Sequence, residues 1–185
     1  MYNLTRSFII EIHRVLAQSL GKQFLDFAPK LGLVGVPLTG NLTRGERDMK
    51  IMVIQRHKGD LEGIRRCLAE ISPERVKEVI FTSNPMEVMK AVADREPTLV
   101  VSGQYFEPEP SLVHGIDLAR LVKRVNPRAL FYIFSTVPQT NQFVDGVIPK
   151  EVGTNEHRLL ARILASELEK ATPQTLRAAF PEIWI

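Results

Sequence analysis

Two hydrophobic rhythms divide the chain near Asp48. Over residues 4–28, Leu4, Phe8, Ile12, Val15, Leu16, Leu20, Phe24 and Phe27 recur at three- and four-residue spacing and draw one apolar stripe along a helix. Pro29 ends it, because the residue before a proline is pushed out of the helical region. Residues 31–48 hold Gly32, Gly35, Gly40, Gly45 and Pro37 without a sustained period, which marks a linker or irregular arm. From Met49 onward short apolar runs alternate with amphipathic stretches, the pattern of a parallel sheet covered by helices on both faces.

The apolar runs predict strands at Ile51 to Ile54, Val79 to Thr82, Thr98 to Ser102, Leu130 to Ser135 and Gly146 to Ile148. Leu61, Ile64, Leu68 and Ile71 share one face of a helix that Asp60 would N-cap and Pro73 would close. Asn84-Pro85-Met86-Glu87 reads as a capped start for a second helix, running to about Arg95 and burying Val88, Met89 and Val92. Leu118, Leu121, Val122 and Val125 place another over Ile116 to Val125, stopped by Pro127. Leu159, Leu160, Ile163, Leu164 and Leu168 place one over Asn155 to Lys170. Residues 136–145 are too few and too polar for a packed helix, so the connection between the last two strands is a loop or single turn. Thr172-Pro173 opens a brief final helix, and the apolar end with Phe180 and the only tryptophan, Trp184, requires docking on its own domain or on a partner. The expected organisation is a helix over 1–30, an arm over 31–48, an α/β domain over 49–170 and a tail over 171–185.

Composition adds boundaries rather than detail. The 185 residues are 44% hydrophobic and 24% charged, an ordinary globular balance with material for one domain and an appendage. Cys67 is the only cysteine, which excludes an internal disulfide and, with four scattered histidines, a zinc module. On its helix Cys67 reads as a small apolar residue. The first apolar run, Phe8-Ile9-Ile10, is cut by Glu11 and His13-Arg14, so no secretory signal is expected and the location is cytoplasmic. No window approaches the roughly 18 apolar residues of a membrane span. The net charge of +3 raises nucleic acid as a partner, but residues 1–50 carry 7 Lys/Arg against 4 Asp/Glu while the remainder carries 17 against 17. Without a basic stripe or an aromatic platform in the α/β region, the pattern argues against nucleic-acid binding.

Function in a doubly wound sheet gathers at the carboxyl ends of the strands. Those ends are Gln55-Arg56-His57, Gly103-Gln104, Ser135-Thr136 and Lys150. Arg56, His57 and Lys58, with Lys150 across the sheet top, are candidates for a small anion site, the alternative being charges paired with Asp60, Glu107 or Glu109. No nucleophile elbow accompanies Ser102, Ser135, His57 or Lys150, and "GNLTRG" lacks the Gly-Lys-Ser/Thr ending of a phosphate loop, so no enzyme is expected.

The segments "KIMVIQRHKGD", "PTLVVSGQYFEP", "GIDLARLVKRVNP", "ALFYIFST" and "DGVIPK" resemble the receiver domain of bacterial two-component response regulators, from about Met49 to Lys170. The resemblance implies a flavodoxin-like α/β fold with a five-stranded parallel sheet. It also implies an acidic pair for magnesium after the first strand, a phosphoacceptor aspartate after the third, Ser or Thr after the fourth and Lys after the fifth. Here those positions hold Gln55 and Arg56, Gly103, Ser135 or Thr136, and Lys150. A hard cation wants carboxylate oxygens and an acyl phosphate needs a carboxylate nucleophile, so this reads as a pseudo-receiver without metal or cofactor. The expected function is a phosphorylation-independent signalling or scaffold protein that binds protein partners, such as a signalling kinase or regulator. Phe8, Ile12, Leu16, Leu20 and Phe24, with Phe180 and Trp184, are its candidate interface, the N-terminal helix mediating homodimerisation or docking. The alternatives are a small-anion or nucleotide sensor and a DNA-associated transcriptional regulator.

Overall fold

A computed structural model describes residues 50–85, 87–88, 91, 98–106, 114–150, 155–168 and 170–184. Strands β1 (Ile51–Ile54), β2 (Val79–Thr82), β3 (Leu99–Ser102), β4 (Leu130–Ser135) and β5 (Gly146–Pro149) form one sheet in the order β2-β1-β3-β4-β5. All four pairings are parallel, with Ile51 beside Val79 and Leu99, Leu99 beside Leu130, and Tyr132 beside Gly146. The helices whose bounds fall among the described residues are α1 (Lys58–Ile71), α2 (Arg75–Glu78), α3 (Gly115–Val125), α4 (Asn155–Leu164) and α5 (Pro173–Ala179).

Side chains alternate across each strand, so two cores form from one sheet. Ile51, Val53, Leu99, Val101, Leu130, Tyr132, Phe134 and Ile148 lie on one face, in a cluster with Leu61, Ile64 and Leu68 of α1 and Leu159, Leu160, Ile163 and Leu164 of α4. The intervening Met52, Ile54, Val100, Phe131, Ile133 and Val147 are equally buried, as are Val88, Leu118, Leu121 and Val122. Burial on both faces explains why these strands read as continuous apolar runs rather than alternating ones.

The strands fall where the apolar runs predict them, and residues 136–145 contain no helix. That connection is tied down by polar contacts instead. The Asp145 carboxylate accepts from the Phe131 amide at 2.7 Å and pairs with Lys123 at 2.6 Å, and Asn141 Nδ2 donates to the Ile116 carbonyl at 3.4 Å.

Three expectations need correction. Asp60 is not the N-cap of α1: the helix starts at Lys58 behind an extended His57, and Asp60 sits in the first turn, where its carboxylate is used elsewhere. α2 was not expected, its four residues being too few to show a period. α4 stops at Leu164 rather than near Lys170, because the Ser166 hydroxyl and amide both donate to the Ile163 carbonyl and turn the chain, while Leu168 still reaches the core.

The tail packs on its own domain. Thr172 caps α5 by accepting from the Thr175 amide, and Leu176, Phe180 and Ile183 enter the same cluster as α1 and α4. The Val147 amide donates to the Trp184 carbonyl and the Trp184 amide to the Val147 carbonyl, at 2.5 and 3.0 Å, closing the β5 edge. Phe180 is therefore core and not a free interface residue, whereas Trp184 keeps 46% of its surface exposed. Phe8, Ile12, Leu16, Leu20 and Phe24, with the helix and arm of residues 1–48, lie outside the described residues, as do Met89 and residues 92–95 of the helix expected after Asn84.

Candidate functional site

The sheet's parallel order places the ends of β1 and β3 side by side, and the chain departs from them in opposite directions. This is the switch point at which a doubly wound sheet opens a crevice. Gln55, immediately after β1, is buried at 3% exposure, with its amide donating to the Thr82 carbonyl at 3.2 Å. Gly103, immediately after β3, donates to the Ile54 carbonyl at 2.8 Å, and the Ser102 hydroxyl donates to the Gly103 carbonyl at 2.8 Å. A Cβ on Gly103 would stand 3.2 Å from Oε1 of Gln55 and 3.7 Å from its Nε2. The glutamine carboxamide thus fills the space beside Gly103, and its Nε2 is buried without a hydrogen-bond partner.

Gln104 faces the loop after β4. Its Oε1 accepts from the Gln139 amide at 3.2 Å, its Nε2 donates to Gln139 Oε1 at 3.4 Å, and Gln139 Nε2 donates to the Tyr105 hydroxyl at 3.2 Å. Ser135 Oγ accepts from the Val137 amide at 3.2 Å, which turns the chain away from the strand, and Thr136 is exposed.

Lys150 follows β5 but does not join the loop cations. Its Nζ lies 2.5 Å from Asp60 Oδ2 and 5.7 Å from the centre of the Phe134 ring. Asp60 Oδ1 in turn meets His157 Nε2 at 3.3 Å. One carboxylate from α1 therefore gathers a cation from the end of β5 and an imidazole from the first turn of α4. Gly63, one turn after Asp60, makes room for this: a Cβ there would lie 2.5 Å from His157 Nδ1. Of the four candidate anion ligands, Arg56 and His57 lie on the β1–α1 loop and Lys58 opens α1, whereas Lys150 is held by Asp60, the first of the acidic partners that the charge reading offers.

Spacing along the chain does not reveal the bridge, since Asp60 is 90 residues from Lys150 and 97 from His157. The one local signal is Gly63 three residues after Asp60, a glycine on the same helix face. Cys67 is half-buried against the core. Among the described residues, no group of three or more His, Cys, Asp and Glu is arranged to hold a metal ion. No helix among them is long and apolar enough to cross a membrane.

No protein-family model matches the chain, and no curated protein matches it. Among solved structures, it is similar to the isolated receiver domain of RcsB from Salmonella enterica serovar Typhimurium, determined in the presence of phosphomimetic BeF3−. The identity is 15%, with 71% of this chain and 98% of that one covered and a TM-score of 0.46. The non-phosphorylated receiver domain of the stress response regulator RcsB from Escherichia coli is 16% identical, with 64% and 92% covered and a TM-score of 0.45. RcsB from Salmonella enterica serovar Typhimurium bound to promoter rprA is 15% identical, with 71% and 66% covered and a TM-score of 0.48. With five parallel strands in the order 2-1-3-4-5, α1 and α2 connecting β1 to β2 and α3 connecting β3 to β4, the chain carries a receiver-like, flavodoxin-type α/β fold.

Proposed function

We propose that this receiver-like domain works in signalling without being phosphorylated, as a module that binds protein partners. The observation that carries the reading is the Gln55–Gly103 contact. Where the resemblance to receivers calls for metal-binding acids and a phosphoacceptor carboxylate, a buried neutral amide is packed against a residue with no side chain. Neither group supplies the oxygen ligands that a hard cation prefers or the nucleophile that an acyl phosphate requires. Arg56 beside Gln55 adds a positive charge that opposes a divalent cation. Lys150, the residue that the resemblance would place on a phosphoryl group, is bound to Asp60.

In this reading, recognition rests on surfaces rather than turnover. The apolar stripe of Phe8, Ile12, Leu16, Leu20 and Phe24 is the self-association or docking element, and the exposed Trp184 ring is a second contact point. The test treats the full chain with acetyl phosphate and magnesium, followed by intact-mass measurement and light scattering. The expected result is an unmodified mass and an oligomeric state that does not respond. A hydroxylamine-sensitive phosphoryl adduct, or an assembly state that changes on treatment, would overturn the proposal.

A further inference from the structure

The two edges of the sheet are treated differently. Along β5 the tail lies close, with the Val147 and Trp184 amides each donating to the other residue's carbonyl at 2.5 and 3.0 Å. β2, at the opposite edge, pairs with β1 alone among the described residues. An edge strand turns alternate N–H and C=O groups outward, and proteins blunt such an edge with lysine, proline or a bulge, or cover it. Val79-Ile80-Phe81-Thr82 has no charge and no proline, and its register with β1 runs without a bulge. Its four residues equal the length of β1 and β3 inside the sheet, so the strand is not shortened as an edge either.

The side chains around that edge supply chemistry. Phe81, Cys67 and Val76 are half-buried around the cluster that α1 forms with the sheet, and Ile71 at the end of α1 keeps 38% of its surface exposed. Ile80, on the other face of the strand, is half-buried too. Arg65 is exposed on α1, with its guanidinium 5.4 Å from the centre of the Phe81 ring, and among the described residues no carboxylate pairs with it. A cation fixed above an aromatic ring beside an open strand favours an acidic side chain on the strand that arrives there. A second copy paired antiparallel about a two-fold would bring its own Arg65 to the same face, so like charges oppose that occupant.

We propose that the β2 edge is the docking surface for an extended segment of another protein, which joins the sheet as an added strand and sets an acidic side chain against Arg65. The inference rests on the reading of this domain as a partner-binding module and names the surface that module uses. Backbone hydrogen bonds to β2 supply affinity, and side chains meeting Phe81, Ile71 and Arg65 supply selectivity.

The test selects a displayed library of random peptides against the full chain, then titrates the full chain with the synthetic consensus peptide while backbone amide signals are followed by NMR. Enriched sequences are expected to alternate in polarity and to carry an Asp or Glu among apolar residues. Saturable shifts and slowed hydrogen exchange are expected at Val79–Thr82. N-methylation of alternate peptide amides should abolish binding in the register that faces β2 and leave it unchanged in the other. Arg65→Glu, at an exposed helix position, is expected to weaken binding at least tenfold with the fold intact, and a peptide with lysine in place of the acid should recover it. No enrichment, binding that spares the Val79–Thr82 amides, or binding that survives Arg65→Glu would each overturn the proposal. A free chain whose β2 amides are already protected in a dimer that dissociates on dilution would also overturn it, because a second copy then holds the edge. The acetyl phosphate measurement reads the underlying function separately: an unmodified chain that selects no peptide at β2 keeps recognition without phosphorylation and loses this surface.

Discussion

Gly103 and Gln55 are matched to one another across the ends of β3 and β1: a Cβ added to Gly103 would lie 3.2 Å from the Gln55 carboxamide oxygen. The pair forms one packed unit, and neither residue can be changed without consequence for the other. Gly103→Ala is expected to destabilise the protein by about 1 kcal/mol, since a neighbour must shift in a packed interior. In a Gln55→Ala background the same change should cost little. A double-mutant cycle from urea denaturation should return a coupling of about 0.5–3 kcal/mol, the range for residues in contact, and additive effects would show that the amide does not occupy that space.

The same logic applies to Gly63 and His157 on the other side of the loop. Gly63→Ala places a methyl group against the imidazole, and the ring is wedged between α1, Asp60 and Phe134. A loss of about 1–3 kcal/mol is expected. Asp60→Asn should cost about 2 kcal/mol, because Lys150 and His157 both lose a charged acceptor. Denaturation midpoints of the two variants check both numbers, and a wild-type midpoint for Asp60→Asn would show that the bridge contributes nothing to stability.

Gly146 is where the tail meets the sheet. A Cβ there would be 3.0 Å from both Ile183 Cγ2 and Tyr132 Cε1 and 3.2 Å from the Trp184 carbonyl oxygen. Gly146→Val should lift the tail from β5, lower stability by about 1–3 kcal/mol and speed hydrogen exchange at the Val147 and Trp184 amides, each of which donates to the other residue's carbonyl. Phe180→Ala, which empties a buried aromatic site, should cost about 3–5 kcal/mol. Unchanged exchange at Val147 in Gly146→Val would separate the glycine from tail docking.

Alkaline pH gives a fourth test. Burial, reinforced by the Asp145 carboxylate, pushes the Tyr132 phenol well above its ordinary value, and its hydroxyl is buried without a partner. A folded-state value raised above the unfolded one contributes stability that is complete below the unfolded pKa of about 10 and is lost as pH climbs beyond it. The melting temperature should therefore fall above about pH 10. Of the three tyrosines, Tyr132 should ionise only as the chain unfolds, as read by ultraviolet absorbance. Tyr132→Phe should flatten the alkaline decline attributable to this group; a decline of the same steepness would assign it to others.

By itself the sequence determined the class of fold, because strands buried on both faces must be apolar throughout and a helix must repeat its apolar face every three to four residues. Ile51 to Ile54, Leu130 to Ser135 and the polar stretch 136–145 carry that information locally, down to the missing helix before β5. That Gln55, Arg56 and Gly103 put no carboxylate at these strand ends was legible as well. Only the tertiary structure decided which contacts the strand ends make. Whether Lys150 faces the loop cations or Asp60, and whether the space beside Gly103 is open or filled by Gln55, depends on contacts between distant elements. The same holds for the choice of Phe180 as core rather than interface. Periodicity reports which face of an element is buried, not which distant side chain meets it, because close approach is settled by packing the whole domain at interior density.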